Sequence, residues 1–284
     1  MTEGAGSSSA SGALATYLNS QIDGILEGDA GLRCGEDPIH DTRVAIRRLR
    51  STLRVFRGLI DTAATDATEE DLKWFAALLG EVRDCQVQER RFSAAVAALP
   101  DVLVLGAVRS RIRNDLRGVE RPARARVTEA MDTPRYVGML GEIRRWREHP
   151  PLLVNPKAKQ LDKRARRAGR KADRRLAAAL RSSDDALLHR ARKGAKRARY
   201  AAELLTATDK SAKRTVKHYK KIQSVLGDHQ DSVVAAGVLR EMGSAAGTTA
   251  GENGFTFGLL YAREQQIALD ARSAASRLLC RNRG

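Results

Sequence analysis

The chain has 284 residues, enough for one large domain or two small ones. Its 51 Lys and Arg against 34 Asp and Glu leave a formal charge of +17, an excess that favours polyanionic partners and disfavours cationic substrates. No run of about 18 apolar residues occurs, which excludes an obvious membrane-spanning helix. Residues 1–12 are rich in Gly, Ser and Ala, without the basic-then-apolar design of a signal segment, and read as a disordered tail. The three cysteines, Cys34, Cys85 and Cys280, are odd in number and lack metal-ligand spacing. They read as free thiols in a reducing cytoplasm.

Seven prolines and long Ala/Leu/Arg/Glu stretches predict an all-α chain, and no segment alternates at period two for long enough to make a sheet. The first predicted helix covers 13–27. The second, 37–61, opens on Asp37-Pro38, an N-cap followed by proline at the first helical position. Further helices are predicted at 68–98, 101–130, 134–147, 156–181, 184–206, 209–241 and 253–281. The prolines at 150, 151 and 156 mark a hinge between halves, and Gly243 to Gly254 reads as a flexible loop.

The second and seventh of these helices carry the same cassette. His40-Asp-Thr-Arg43-Val-Ala-Ile-Arg47-Arg48-Leu-Arg50-Ser-Thr-Leu-Arg54 lies over His189-Arg-Ala-Arg192-Lys-Gly-Ala-Lys196-Arg197-Ala-Arg199-Tyr-Ala-Ala-Glu203. At about 100° per residue, His40, Arg43, Arg47, Arg50 and Arg54 form one stripe, with Ile46, Leu49, Leu53, Phe56 and Ile60 opposite. In the second copy His189, Arg192, Lys196 and Arg199 take the first stripe, and Ala191, Ala195, Ala198, Ala202 and Leu205 the second. Each helix is therefore expected to bury its apolar face and offer its cationic one. A solvated face normally mixes charge signs, since like charges at i, i+4 cost a few tenths of a kcal/mol per pair. Here five arginines face one acid, Asp41. Such a pattern points to an anionic ligand.

A second signature follows each cassette: Leu79-Gly80-Glu-Val-Arg83-Asp84-Cys-Gln-Val87, answered by Leu226-Gly227-Asp-His229-Gln-Asp231-Ser-Val-Val234. The histidines are 149 residues apart and the glycines 147, so the duplication spans a whole half of the chain. Each glycine is expected to allow close packing, and each aspartate to pair with a cassette arginine. Together the duplicated motifs resemble the CHAD domain, the conserved histidine α-helical domain, from about Ala13 to the C-terminus. The resemblance implies two pseudo-symmetric four-helix bundles, from halves 13–149 and 150–284, with a basic central groove or channel. It further implies binding of inorganic polyphosphate and a location at cytoplasmic polyphosphate granules. Two departures stand out. Gly194 and Ala198 are smaller than the family's usual apolar residues, and Glu203 replaces the counterpart of Arg54. That end of the second helix is expected not to touch the ligand.

Other helices add cations. Between Lys157 and Arg181 eleven Lys/Arg face two aspartates, and Lys163, Arg167, Arg170, Lys171 and Arg174 share one face. Lys213, Lys217, Lys220 and Lys221 do likewise upstream of the second Leu-Gly signature. Arg109, Arg111, Arg113 and Arg117 spread around their helix as ordinary solvated surface. His40 and His189 are expected to donate to phosphate oxygen, gaining a proton as the anion arrives. His218 and His229 are further candidates, and His149 reads as structural. No metal set is evident among these arginines.

Nothing in the motifs points to an enzyme. There is no phosphate-binding Gly-x-x-x-x-Gly-Lys-Ser/Thr loop, no Gly-x-Ser-x-Gly and no His-Glu-x-x-His. The Glu-x-Glu-x-Lys signature of the triphosphatase tunnel domain that often accompanies the family is also missing from this sequence. The expectation is binding without turnover and without a cofactor. The rivals are nucleic-acid binding, weak because aromatics make up only 4% of the chain, and a scaffold that recruits a polyphosphate enzyme.

Overall fold

Helical periodicity is realised along almost all of the chain that the computed structural model describes, residues 10–153, 156–182 and 184–280. The helices among them are α1 Ala10–Arg33, α2 Ile39–Val55, α3 Thr62–Ala97, α4 Val108–Met131 and α5 Pro134–Glu148. After these come α6 Ala158–Leu180, α7 Asp185–Leu205, α8 Ala212–Gly247 and α9 Phe255–Cys280. Extended pairing among the described residues is limited to one antiparallel bridge between Ile60 and Leu152. The chain is all-α, as its periodicity predicts.

The differences from the predicted elements have packing causes. α1 runs on through Gly28 to Arg33, where the sequence reading stopped at 27. A Cβ on Gly24 would lie 3.2 Å from the Ala45 Cβ, and one on Gly28 only 2.9 Å from the Thr42 Cβ. Those glycines let α1 press against α2, and the packing outweighs the roughly 1 kcal/mol that each glycine costs a helix. α8 likewise continues to Gly247 through the predicted loop. Met242 and Ala246 are buried there, and a Cβ on Gly243 would sit 3.0 Å from the Phe257 Cβ. Residues 1–9 of the expected tail lie outside the described residues, while 10–12 open α1. The proline segment is tied to the turn after α2: Asp61 N donates to Pro151 O at 2.9 Å and Leu153 N to Leu59 O at 3.2 Å. Its residues 154 and 155 lie outside the described set.

By contacts the chain divides into two compact units, each assembled from separate stretches. Unit 1 takes residues 1–79, 127–174 and 193–220; unit 2 takes 80–126, 175–192 and 221–284. In unit 1, Ile46, Leu49 and Leu53 of α2 and Phe56 just after it are buried, as are Ala195, Ala198, Ala202 and Leu205 of α7. Both apolar stripes read from the sequence therefore face core. Phe75 packs on Tyr136 with ring centroids 4.5 Å apart, and the Tyr136 hydroxyl donates to Asp29 at 3.0 Å. In unit 2, Phe92, Ile112, Leu239, Phe257 and Leu260 form one core cluster, each such side chain contributing about 1.5–3 kcal/mol on burial. There the Thr256 hydroxyl donates to Leu103 O at 2.8 Å and accepts from Leu105 N at 2.9 Å.

Candidate functional site

Most of the sequence-predicted cations fall in unit 1. Those on α2 are only partly solvent-facing, because protein acceptors already engage them. Arg43 Nη1 donates to Ala76 O at 2.9 Å. Arg50 and Arg54 share one carboxylate, Glu69 of α3, at 3.0 and 2.6 Å. Burial, and then the charge of Arg54, pull the Arg50 guanidinium below its ordinary value. The stripe read as an open cationic face thus has the charge of its C-terminal end partly offset from within. His40 and Arg54 are exposed, whereas Arg43, Arg47 and Arg48 are half-buried.

The C-terminal part of the second cassette meets α2 inside the same unit. Arg47 Nε donates to the Tyr200 hydroxyl at 3.0 Å. The Arg48 and Arg199 guanidinium groups lie 5.5 and 4.7 Å from the centre of the Tyr200 ring, within reach of cation–π attraction. Glu203 turns inward: its Oε1 is 3.0 Å from Arg199 Nε, and its Oε2 is 3.4 Å from Arg48 Nε. The Tyr17 hydroxyl of α1 donates to Oε2 at 3.3 Å, and burial followed by the Glu203 charge raises that phenol so that it stays a donor. Lys196 and Arg197 are half-buried on this stretch of α7. Three cassette arginines therefore converge on Tyr200, and two of them, Arg48 and Arg199, on Glu203. The sequence offered no sign of Tyr17, and Glu203 showed only as an acid out of pattern.

The first turns of α7 belong to unit 2, with the second Leu-Gly signature. His189 Nδ1 lies 2.9 Å from Gln230 Oε1, within hydrogen-bond distance. Arg192 approaches Asp231 at 3.7 Å, the pairing expected of the signature aspartate. A Cβ on Gly227 would fall 3.1 Å from Arg192 Nη2, so the glycine makes room for a guanidinium. His229 is buried, with Nε2 3.2 Å from Asp185. That placement makes it part of the unit's interior and not a surface donor.

The supplementary cations are exposed. Lys163, Arg167, Arg170, Lys171 and Arg174 on α6 are all exposed, as are Lys213, Lys217 and Lys220 on α8 in unit 1 and Lys221 in unit 2. Beside them α6, α7 and α8 border a cleft of about 340 Å³ whose walls include Asp162, Asp173 and Asp209. Arg166 and Arg170 stand beside those carboxylates in its walls, so the cleft mixes charge signs, while Lys163, Arg167, Lys171 and Arg174 are exposed outside its lining. Of the arginines read as plain surface, Arg109, Arg113 and Arg117 are exposed. Arg111 is a correction: half-buried, it bridges Asp115 and Glu252, both at 2.8 Å. Among the described residues no three His, Cys, Asp or Glu side chains converge as a metal site.

The family model described as the CHAD domain matches residues 16–240. The chain belongs to the CHAD family. This CHAD chain is also 31% identical over 262 residues to uncharacterized proteins of two Mycobacterium tuberculosis strains, CDC 1551 / Oshkosh and ATCC 25618 / H37Rv. The match covers 88% of the chain but spans about half, 49%, of those relatives. Its fold resembles PptA from Streptomyces chartreusis, with a TM-score of 0.80 at 21% identity over 95% of this chain and 99% of that one. It also resembles the CHAD domain of the plant Ricinus communis, with a TM-score of 0.73 at 26% identity over 94% and 91% of the two chains.

No helix among the described residues is long and apolar enough to cross a membrane. Cys34 is an exposed free thiol, and Cys85 is a buried one whose thiol is raised mainly by burial. The Cys280 side chain lies outside the described ones. Burial also holds the His229 imidazole below its ordinary value, against the opposing pull of Asp185. In the unfolded chain the imidazole takes its proton first, near pH 6.5. Its contribution to stability is therefore full above that pH and is lost as the pH falls below it. The melting temperature should drop between pH 7.5 and pH 5.5, and His229→Gln should remove part of that drop. A variant whose profile parallels the wild type would rule out this histidine as the source.

Proposed function

We propose that this CHAD domain binds inorganic polyphosphate and does not hydrolyse it. The observation that carries the reading is the concentration of cassette and supplementary cations in unit 1. There α2 and α7 bring Arg47, Arg48 and Arg199 together, and α6 exposes Lys163, Arg167, Arg170, Lys171 and Arg174. A polyphosphate carries about one charge per phosphate, and guanidinium forks engage its oxygens in pairs, which accounts for arginine over lysine in the cassettes. The repeated motifs support an internal duplication behind the paired cassettes. His40 joins the anion contacts of unit 1, His189 offers a contact in unit 2, and polyphosphate granules are the corresponding address in the cell.

The burial of Tyr200 favours polyphosphate over single-stranded nucleic acid. It touches three cassette arginines, it is only 1% exposed, and it is already flanked by two guanidinium groups. It offers no ring face on which a base could stack. In a competition titration at equal phosphate concentration and ionic strength, long-chain polyphosphate should displace single-stranded DNA, and the DNA should not displace polyphosphate. Free phosphate should not accumulate on prolonged incubation. DNA that competes equally would replace this reading with a nucleic-acid one, and phosphate release would replace it with an enzymatic one.

A further inference from the structure

The environment of Glu203 is a built anion site that already holds an anion. Three elements supply it: Tyr17 from α1, Arg48 from α2 and Arg199 from α7. The site is deep, with the Arg199 side chain 11% exposed and that of Glu203 21%, but it opens on the Arg48 side, where exposure rises to 34%. Both arginines are under-satisfied. The Nε atoms of Arg48 and Arg199 are buried and lie within ion-pair distance of Glu203, yet neither makes an aligned hydrogen bond. A buried guanidinium nitrogen left without an aligned acceptor is a costly arrangement. An acceptor with a wider oxygen spread would relieve it.

A mid-chain phosphate of polyphosphate meets that description. Like a carboxylate it spreads one negative charge over two non-bridging oxygens, but those oxygens are set at a tetrahedral centre and stand farther apart. We propose that Arg48, Arg199 and Tyr17 form a subsite for one phosphoryl group, and that Glu203 is its resident anion, displaced when the polymer binds. The proposal rests on the polyphosphate reading above and adds a residue that sets its affinity. Glu203 lies in the last turn of α7, so its side chain can swing toward solvent without disturbing the helix. Losing its charge leaves two guanidinium groups uncompensated. The free protein is thereby weakened, and an incoming anion that binds only the folded state restores it by linkage.

The test uses long-chain polyphosphate and four proteins: wild type, Glu203→Gln, Glu203→Asp and Glu27→Gln. Glu27 is an exposed acid of α1, so its substitution matches the charge change of Glu203→Gln away from the subsite. Glu203→Gln should bind about tenfold tighter than wild type, the scale of one charge-assisted hydrogen bond, while Glu27→Gln stays within about twofold, as expected of a screened surface charge. Glu203→Asp keeps the net charge and withdraws the carboxylate by one methylene, so it should tighten binding to an intermediate degree. It also decides the matter should Glu203→Gln fail to fold. Without ligand both Glu203 variants should melt lower than wild type, and saturating polyphosphate should raise their melting temperatures by more. Wild-type binding with no gain at Glu203 beyond that at Glu27 would overturn the subsite and leave the polyphosphate reading intact. Absence of binding by all four proteins would overturn both, whereas binding by the Glu203 variants alone would support the resident anion directly.

Discussion

Replacing Arg167, Arg170 and Arg174 with alanine is expected to cost polyphosphate binding on the order of a thousandfold. These three arginines are exposed along one face of α6, and their loss removes charge without opening the core. Charge-assisted contacts contribute from about 1.5 kcal/mol each, and every 1.4 kcal/mol is a factor of about ten in affinity. The matched comparison replaces Arg109, Arg113 and Arg117 of α4, also exposed and also three charges. That variant should remain within a few-fold of wild type, because those arginines belong to neither cassette and surface charge is screened over about 10 Å at 0.1 M salt. The α6 variant should also show a shallower dependence of affinity on salt, since fewer counterions are released. Circular dichroism should show both variants fully helical. Equal losses in the two would mean that the protein acts as a diffuse polycation, and that α6 holds no ligand.

Glu264→Ala should destabilise unit 2 by about 3–5 kcal/mol, the cost of leaving one partner of a buried pair alone. Glu264 is 2% exposed and receives both arms of Arg91, Nε at 2.8 Å and Nη2 at 2.5 Å. Arg91 Nη2 also donates to the Ser232 hydroxyl at 2.6 Å. One guanidinium thus joins α3, α8 and α9, and its protonated form is favoured chiefly by the Glu264 hydrogen bond. Removing both charges is a different matter, because well-packed apolar replacements of a buried pair are often neutral. Arg91→Met combined with Glu264→Leu should therefore recover much of the melting temperature lost by Glu264→Ala, as read by calorimetry. A Glu264→Ala protein that melts within a degree or two of wild type would show that the pair is not holding the unit together.

The all-α class, the sequence of helices and the two apolar stripes were legible because they depend on local periodicity. Ile46, Leu49, Leu53 and Phe56 recur at helical spacing, and all are buried. Element ends were less legible where packing overrode intrinsic preference. Gly28 reads as a helix stop until Thr42 is seen pressed against it, and Gly243 reads as a loop until Phe257 is placed beside it. The repeated motifs were strong enough to mark the family, and Asp231 does approach Arg192. Gln230, the partner of His189, lies inside the second Leu-Gly signature at a position that residue spacing alone does not mark.

By itself the sequence determined that the chain is helical, that it repeats a cationic cassette, and that its charge suits a polyanion. Each of these follows from residue type and spacing along one helix. Only the tertiary structure decided which of those cations are available and which are engaged. Glu69 reaches Arg50 and Arg54 from α3, and Glu203 reaches Arg48 from α7. Cassette arginines that look alike in the sequence thereby differ in charge environment from those left exposed on α6. The physical reason is that periodicity is carried by neighbours three and four residues apart, whereas the electrostatic state of a side chain is set by whichever carboxylate the fold brings within a few ångströms.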